Sequence, residues 1–441
     1  DFLEPNAPEI SISDLPRGIG LAPVSLRVTL RDLDSGLDEV IVRTRQKGAP
    51  RELLRRQLGG VKTVNFSIDF PGEKSDLEEG SAEISVKAFD RSFWSNAAEK
   101  GVSLPVDYRK PRVEVLTQQH NAVKGGSQLV LYRAFDESLS VSGVKVGNQT
   151  FLGYPARGLD SGIEDPSVYA AIYAVGFNQH VDETAVRAFA EDQVGNVVSV
   201  PFANRIQGRV VRNINSKITE EWLRDRVSTI AENNFKKIEE ITRRDGQEGV
   251  YQTQRGSLDR LLEQFKYVNV DLREVNQNEI ATFIRQSRFD KHWEGPFIRE
   301  PGTVLGAYGE KMNYEFQGQP AGAWLRLGYE FGVTRDNAEV QAAAGGVVVL
   351  VDDFAVYGQT VIIDHGLGVS TLYAGLSATA VGRGDTVSQR QKIGDGGTTG
   401  LAQGPRVYFE MRVQNTPVDA REWWDRRWYF GHIISKVNET K

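Results

Sequence analysis

The chain has 441 residues and a formal net charge of −6 at neutral pH. At about 150 residues per domain, this length predicts roughly three domains, and the acidic balance argues against a nucleic-acid-binding protein, whose surface is usually basic. The sequence contains no cysteine, which excludes disulfide bonds, cysteine nucleophiles and thiolate metal sites.

Two features of the sequence bear on the compartment. No stretch approaches the roughly 20 apolar residues that are needed to span a bilayer, so we expect no transmembrane segment in this chain. The chain begins at Asp1, with neither a methionine nor a signal-like apolar run. This start is what we expect of an exported protein from which the signal has been removed.

Residues 1 to 205 contain short runs of alternating apolar and polar residues, separated by turn residues, as in half-buried β-strands. Residues 87–99 and 187–199 match each other: each has a strand, an acidic turn with an asparagine and a return strand. This weak repeat of about 100 residues predicts two modules, residues 1–107 and 108–205. Both resemble bacterial immunoglobulin-like β-sandwiches. We interpret them as spacers, with ligand binding as the alternative.

Between residues 206 and 293 the pattern changes to a helical period, which predicts a helical connector. We expect Ser216 or Thr219 to cap the first helix. A later helix is predicted to begin at Asn276, which has capping-box spacing to Glu279. The connector either packs structurally on its neighbours or regulates access to a groove in the C-terminal domain.

The C-terminal part, residues 294–441, is rich in glycine turns and in strand-like apolar runs. Residues 339–348, 357–377, 381–400 and 404–424 carry ordered glycine, histidine and aromatic motifs. In this order and spacing they resemble the LytM, or M23, type of zinc peptidase domain, from about Gly306 to Trp428. The resemblance implies an antiparallel β domain of the duplicated hybrid motif type. The whole chain is therefore predicted to be mainly β.

The chemistry of this family depends on histidines. Its zinc is held by the histidine and aspartate of an H-x-x-x-D motif and by the second histidine of H-x-H, which leaves one position for water. The first histidine of H-x-H and the histidine of Y-x-H-L serve the proton transfers. In this sequence Arg326 and Glu330 stand in the first motif, Arg406 and Tyr408 in the second, and Gly375 replaces the histidine of the third.

These replacements remove the zinc site. Arginine stays protonated and has no lone pair to donate, a tyrosine ligand would have to ionise against a pKa of about 10, and glycine has no side chain. Only Glu330 keeps a group that can bind a metal. A histidine that the family has outside the zinc site persists as His365, which we interpret as a turn or packing residue. The resemblance therefore predicts a pseudo-enzyme with no catalytic residue, no metal and no cofactor.

A different role is predicted for the groove. We expect the cation of Arg326, of Arg406 or of both to fill the space of the zinc and to balance Glu330. A positive groove would attract carboxylates of peptidoglycan stem peptides or of a partner protein; the alternative is a salt bridge that only preserves the fold. The candidate groove residues are Arg326, Tyr329, Glu330, Tyr373, Arg406 and Tyr408.

Degenerate domains of this type bind and activate cell-wall amidases or scaffold envelope assemblies. The resemblance therefore implies a non-catalytic protein of the bacterial periplasm or cell envelope that binds, and regulates or scaffolds, an envelope partner such as a cell-wall hydrolase. The alternative is a structural module that binds peptidoglycan directly. A third and less favoured hypothesis is a peptidoglycan endopeptidase with unorthodox chemistry that depends on Glu330.

Overall fold

The computed structural model describes residues 6–72, 75–180, 185–244, 258–334 and 338–441. The chain divides into two compact units. The first contains Asp1–Val113, Ala134–Ser142 and Phe189–Ser199, and the second contains Glu114–Arg133, Gly143–Ala188 and Val200–Lys441. Strands predominate over helices, so the prediction of a mainly β chain is confirmed. None of the described helices is long and apolar enough to cross a membrane.

The first module is built from two antiparallel sheets. Their strands are β1 (Glu9–Ser13), β2 (Val24–Arg31), β3 (Leu37–Arg45), β4 (Arg51–Val61), β5 (Thr63–Phe70), β6 (Gly80–Asp90) and β7 (Ala97–Val106). One sheet has the order β1-β2-β5 and the other β4-β3-β6-β7. Alternate residues of β2 and β6, such as Val28, Leu30, Ile84 and Val86, are buried in one shared core, because side chains along a strand point alternately to the two faces.

The next part of the chain contains nine strands, eight of which form two four-stranded sheets. They are β8 (Arg112–Val115), β9 (His120–Val123), β10 (Ser127–Phe135), β11 (Leu139–Val146), β12 (Gln149–Leu152), β13 (Tyr154–Pro155), β14 (Val168–Ala174), β15 (Val186–Asp192) and β16 (Val197–Pro201). One sheet has the order β13-β14-β10-β8 and the other β12-β11-β15-β16. The assignment of both modules to the immunoglobulin-like type, and the domain boundaries, stay predictions.

The turns that suggested an internal repeat share one hydrogen-bond pattern. The backbone N–H of Asn96 donates to Asp90 Oδ1 at 2.8 Å and its side-chain amide donates to Asp90 Oδ2 at 2.9 Å. Asn196 makes the same two bonds to Asp192, both at 2.8 Å. Both aspartates are almost fully buried, so the asparagine supplies hydrogen bonds that a buried carboxylate requires.

The segment that follows begins with strands and continues as helices. Its elements are β17 (Asn204–Gln207), β18 (Arg212–Lys217), α1 (Glu220–Trp222), a π-helical turn (Leu223–Val227), α2 (Ser228–Asn233), α3 (Phe235–Arg244), α4 (Leu258–Tyr267), a second π-helical turn (Val268–Leu272) and α5 (Arg273–Ile284). Thr219 caps α1, since its hydroxyl accepts a hydrogen bond from the N–H of Trp222 at 3.2 Å. This was one of the two predicted caps.

The prediction that a helix begins at Asn276 is wrong. Helix α5 already includes that position, and Asn276 is almost fully buried. Its side-chain oxygen accepts a hydrogen bond from the N–H of Val356 at 3.3 Å, and its amide donates to Glu279 at 3.1 Å. The asparagine therefore links the helix to the C-terminal domain instead of capping it, a tertiary use that a local sequence pattern does not reveal.

The C-terminal domain is dominated by one large sheet. Its elements are β19 (Thr303–Gly306), β20 (Glu310–Phe316), β21 (Gln319–Leu325), β22 (Tyr329–Gly332), β23 (Glu339–Gln341), β24 (Gly346–Asp353), β25 (Gln359–Gly366), β26 (Val369–Thr379), β27 (Thr386–Val387), β28 (Lys392–Gly396), β29 (Arg406–Val413), β30 (Thr416–Val418), α6 (Ala420–Trp424), α7 (Arg426–Tyr429), a π-helical turn (Phe430–Ile434) and α8 (Ser435–Thr440). The main sheet follows the order β19-β22-β29-β26-β25-β24-β27, and a small separate sheet has the order β18-β20-β21.

The helices pack on this domain through a continuous apolar core. Leu223, Val227, Phe265, Leu272 and Ile280 of the helical segment are fully buried in one cluster. The same cluster contains residues of the main sheet and of the loop after β24: Leu350, Phe354, Tyr357, Ile362, Leu372 and Tyr408. Fully burying an aliphatic side chain contributes about 1.5–3 kcal/mol. The helical segment is therefore an integral layer of the second unit.

A buried carboxyl lies beside the main sheet. Glu300 is 3% exposed, and its Oε1 has no hydrogen-bond partner in the described part of the chain. Burial raises the pKa of Glu300 to about 8, although the backbone of Gln341 donates a hydrogen bond to it. The folded protein therefore holds this group protonated at neutral pH.

Glu300 is expected to make stability depend on pH. Because its pKa is raised in the folded state, the native protein binds a proton that the unfolded chain releases, and this contribution to stability is lost as pH rises from about 4.5 to about 8. We expect Glu300→Gln to gain free energy of unfolding relative to the parent chain across that window, on the order of 1 kcal/mol per pH unit. Urea unfolding at several pH values measures the difference. Exposed Glu294→Gln is the control, and a pH-independent difference for Glu300→Gln would contradict the prediction.

Candidate functional site

The strand register brings the motif positions together. Glu330 of β22 pairs with Tyr408 of β29, and Tyr408 pairs in turn with Ala374 of β26, next to Gly375. Arg406 lies two residues before Tyr408 on the same strand and so on the same face. Three neighbouring strands of the main sheet thus carry the positions that the three family motifs occupy.

Arg326 and Arg406 both contact the carboxylate of Glu330. Arg406 Nη1 lies 2.7 Å from Glu330 Oε2, and Arg326 Nη2 lies 3.4 Å from the same oxygen. Arg326 Nη1 also donates to Glu310 Oε2 at 2.5 Å. The four side chains carry two positive and two negative charges, and the shared contacts satisfy the charge pairing that partly buried ions require.

Arg326 lies beneath the groove and does not line it. Its side chain is only 4% exposed. It occupies space that is open because Gly306 has no side chain. A Cβ atom at Gly306 would come within 2.1 Å of the guanidinium carbon of Arg326. The contact with Glu310 was not predicted, because β20 lies outside the family motifs and nothing in its sequence marks that residue.

Tyr408 is locked as a neutral phenol. It is 8% exposed, and its hydroxyl donates a hydrogen bond to Glu410 Oε2 at 2.6 Å. Burial, followed by the charge of Glu410, raises the pKa of Tyr408 well above its usual value. Glu410 is also paired with Arg412 Nε at 2.5 Å. The tyrosine therefore cannot supply the phenolate that metal binding would need.

Two predicted groove residues lie on the opposite face of the sheet. Tyr329 and Tyr373 neighbour groove positions along their strands, and the alternation of side chains turns them away from the groove. The hydroxyl of Tyr329 donates to Asp419 Oδ1 at 2.6 Å, and that of Tyr373 accepts from the N–H of Ala343 at 2.7 Å. The prediction that these two tyrosines line the groove is therefore wrong.

The helical segment extends two polar side chains into the groove. The guanidinium carbon of Arg273 lies 3.8 Å from the ring centroid of Trp324 and 6.0 Å from that of Tyr357, which is a cation–π arrangement. One helical turn later, the amide of Gln277 donates to the Tyr357 hydroxyl, and its oxygen accepts from Arg412. Arg273 and Gln277 were not predicted; their spacing of four residues is the only signal, and it is common in helices.

The remaining space in the groove is small. A cavity of about 60 Å³ is lined by Arg273, Tyr314, Trp324, Glu330, Gly375 and Arg406, together with Tyr408 and residues of nearby loops. Ligand pockets usually have volumes of about 300–1,000 Å³. The helical segment therefore fills most of the groove in this conformation. Gly375 lies at its edge with a φ of +75°, which favours glycine over the histidine of the family motif.

The residues present do not fit a zinc ion. Among the described residues, three or more possible metal ligands come together only at Asp107, Asp136 and Asp192 of the first unit. His365, the one histidine within the family motifs, is fully buried. Its Nδ1 pairs with the carbonyl of Gly345 and its Nε2 with the hydroxyl of Thr371, both at 2.7 Å, and burial lowers the pKa of His365 to about 4. It acts as a packing residue.

The buried ion pairs predict a large effect of one substitution. Among the residues that the structure describes, Arg326→Ala would leave Glu310 with the exposed Arg212 as its one ionic partner and Glu330 with Arg406 alone. We expect a loss of about 3 kcal/mol in the free energy of unfolding, because breaking a buried pair leaves a charge without compensation. Urea unfolding measures it. Arg326→Lys should lose less stability than Arg326→Ala, because it keeps the positive charge. It should still lose some, because one ammonium replaces a fork that contacts two carboxylates.

Arg224→Ala is the matched control for this prediction. Arg224 pairs with Glu220 at 2.6 Å on a helix surface where both side chains are nearly half exposed, and such pairs contribute less than about 1 kcal/mol. Equal losses for Arg326→Ala and Arg224→Ala would contradict the importance of the buried pairs.

Comparison with known proteins places this site in a family. Residues 326–420 match the family model for peptidase family M23. The murein hydrolase activator EnvC of Escherichia coli (strain K12) is 33% identical over 125 residues, which are 28% of this chain and 28% of that protein. The peptidoglycan DD-endopeptidase ShyA of Vibrio cholerae is 38% identical over 143 residues, 28% of this chain and 33% of that protein.

Each of these matches therefore spans about a third or less of the relative's length. The solved structure of a candidate M23 peptidase from Pseudomonas aeruginosa covers 69% of this chain and 95% of its own, with 15% identity and a TM-score of 0.38. The C-terminal part of this chain, residues 326–420, is a domain of peptidase family M23.

Proposed function

We propose that this M23 domain is non-catalytic and that its groove binds a protein partner. The observation that carries the proposal is the pairing of Arg326 and Arg406 with Glu330. Arg326 and Glu330 stand where the first family motif has metal ligands, and Arg406 stands where the H-x-H motif has its proton-transfer histidine. Zinc peptidases need three protein ligands with free lone pairs and an open position for water. Two guanidinium groups beside one carboxylate provide neither.

The partner that we propose is a cell-wall hydrolase or an envelope complex, which the protein regulates or scaffolds. The M23 relatives include a protein named as a murein hydrolase activator as well as endopeptidases. The activator name supports a role in binding, since the residues needed for the endopeptidase chemistry are replaced here. We place this activity in the bacterial periplasm or cell envelope, because the names of both relatives refer to the cell wall, one as murein and the other as peptidoglycan.

The helical segment would act as a cover over the groove. Arg273 and Gln277 occupy the space above Tyr357 and Arg412, so a partner must displace at least these two side chains to enter. Behind them, the groove would present Arg406 and Glu330 together with Trp324 and Tyr408. Arginine, tryptophan and tyrosine are the residue types enriched at the centres of protein interfaces.

The first test is metal binding by the full chain. After incubation with zinc and dialysis, we expect below about 0.1 zinc ion per chain by mass spectrometry, and we expect a chelator to leave the melting temperature unchanged, because a bound metal would stabilise the folded state. About one zinc per chain that is lost in Glu330→Gln would contradict the proposal. Zinc that persists in Glu330→Gln would belong to another site.

The second test opens the groove. Arg273→Ala combined with Gln277→Ala should increase binding to, and stimulation of, the cell-wall hydrolases of the source bacterium, by about tenfold if the cover costs about 1.4 kcal/mol. Release of dye-labelled peptidoglycan fragments and pull-down measure the two effects. Arg285→Ala is the matched control, because this exposed arginine ends the same helix away from the groove.

Adding Arg406→Ala to the variant with Arg273→Ala and Gln277→Ala should abolish the increase in hydrolase binding and stimulation, since Arg406 lines the groove. Stimulation of the hydrolases that is unchanged by all of these substitutions would contradict a role of the groove. Tight sedimentation of the chain with purified sacculi, together with inertness towards every hydrolase, would instead favour a structural peptidoglycan-binding module.

A further inference from the structure

A large polar cleft lies in the second unit, away from the M23 groove. Its volume is about 670 Å³, within the range of about 300–1,000 Å³ that is usual for ligand sites. Three segments form its walls: the turn that joins β11 to β12, the residues after β14, and the turn that joins β29 to β30. It shares no lining residue with the groove, so the inference below does not rest on the proposed function.

The cleft is lined by carboxamides. Each wall contributes two of them in succession: Asn148 and Gln149, Asn178 and Gln179, Gln414 and Asn415. None of the described lining residues is Asp, Glu, Lys or Arg; the titratable side chains among them are His180 and Tyr308. A carboxamide both donates and accepts hydrogen bonds, so a ring of them matches a neutral ligand that also does both.

The base of the cleft is apolar. Phe177 and Tyr308 are largely buried, and their rings pack edge to face with centroids 5.9 Å apart. Phe151 and Leu327 lie nearby. A polar rim above an aromatic base matches a sugar ring, which presents C–H groups on one face and hydroxyl groups around its edge.

Hydrogen bonds fix the walls of the cleft. The side-chain amide of Gln414 donates to the carbonyl of Leu152 at 2.7 Å, and its oxygen accepts from the N–H of Leu152 at 2.6 Å. This two-point contact joins the M23 domain to strand β12. The amide of Gln179 donates to Gln149 Oε1 at 3.3 Å and so joins the wall after β14 to the wall that contains β12. A site with walls held in place loses less conformational entropy when a ligand binds.

We propose that this cleft binds a neutral amino-sugar oligosaccharide, with the carboxamides contacting its hydroxyl and N-acetyl groups. An anionic or cationic ligand is disfavoured, because the lining offers no opposite charge from an Asp, Glu, Lys or Arg side chain. A peptide main chain has the same donors and acceptors, but it lacks the rigid ring that the aromatic base fits.

The test is titration of the full chain with a tetramer of N-acetylglucosamine. We expect saturable binding by calorimetry with a Kd on the order of 1 mM or tighter. Asn148→Ala combined with Asn178→Ala should weaken it about tenfold or more, because both side chains lie at exposed positions of the rim and each supplies hydrogen bonds. Asn438→Ala is the matched control: an exposed asparagine on α8, outside the cleft.

A steric variant tests the place of binding separately. A Cβ at Gly176 would meet only the side chains of Gln149, Gln179 and Thr416, at 3.5 Å or more. Gly176→Leu should therefore fold normally and abolish binding, because the new side chain projects into the cleft. Unchanged circular dichroism and melting temperature verify its fold.

The outcomes separate the alternatives. Loss of binding in the double and steric variants, with retention in the control, supports the proposal. Absence of saturable binding by the parent chain up to about 10 mM, which is tenfold above the weakest Kd that we expect, overturns it. Binding that survives Gly176→Leu overturns the location, and equal affinity for a neutral tripeptide overturns the sugar assignment. None of these results depends on whether the groove binds a hydrolase.

Discussion

The carboxylate of Glu330 lies between the guanidinium groups of Arg326 and Arg406, and the rest of the groove is arranged around this pairing. A partly buried carboxylate requires a cation or several hydrogen-bond donors. Two arginines meet the requirement here, and Glu310 balances the second positive charge. Charge balance at the sheet surface is therefore reached by side chains alone. Of the two arginines that neutralise Glu330, Arg326 stands where the family has a metal-binding histidine and Arg406 where it has a proton-transfer histidine.

The cover over the groove follows from how the helical segment is attached. Leu272 and Ile280 are fully buried in the core on either side of Arg273 and Gln277. Complete detachment would expose these and the other apolar residues of the cluster, at about 1.5–3 kcal/mol for each fully buried side chain. Rotation of two polar side chains costs far less, on the order of their rotamer entropy. Opening by local rearrangement around Arg273 and Gln277 is thus energetically favoured over release of the helices.

Much of the fold could be predicted from the sequence, and part of the site could not. Alternating strands, the two Asp–Asn turns and the glycine framework are local signals, so the mainly β architecture and the meeting of Glu330, Arg406 and Tyr408 were within reach. Contacts between distant segments were not. Glu310 lies on a strand without any marking motif, Arg412 lies on β29 but outside its H-x-H positions, and Asn276 had the spacing of a cap while the fold uses it to bond Val356. Tyr329 and Tyr373 were adjacent in sequence to groove positions, but strand alternation places them on the other face.

That other face carries the packing that holds together the strands of the motif positions. Tyr329, Phe331 and Phe409 pack with Trp424, with ring centroids 4.9 to 6.0 Å apart, and Tyr373 packs on Phe409 at 5.3 Å. These contacts, with the buried His365 behind them, hold strands β22, β29 and β26 together from the side opposite the groove. Since successive residues of a strand point to opposite faces, substitutions at Glu330, Arg406 or Tyr408 positions leave the aromatic layer unchanged. The fold and the groove chemistry are therefore carried by alternate residues of the same strands, so a change of the groove-facing side chains does not require the aromatic core to repack.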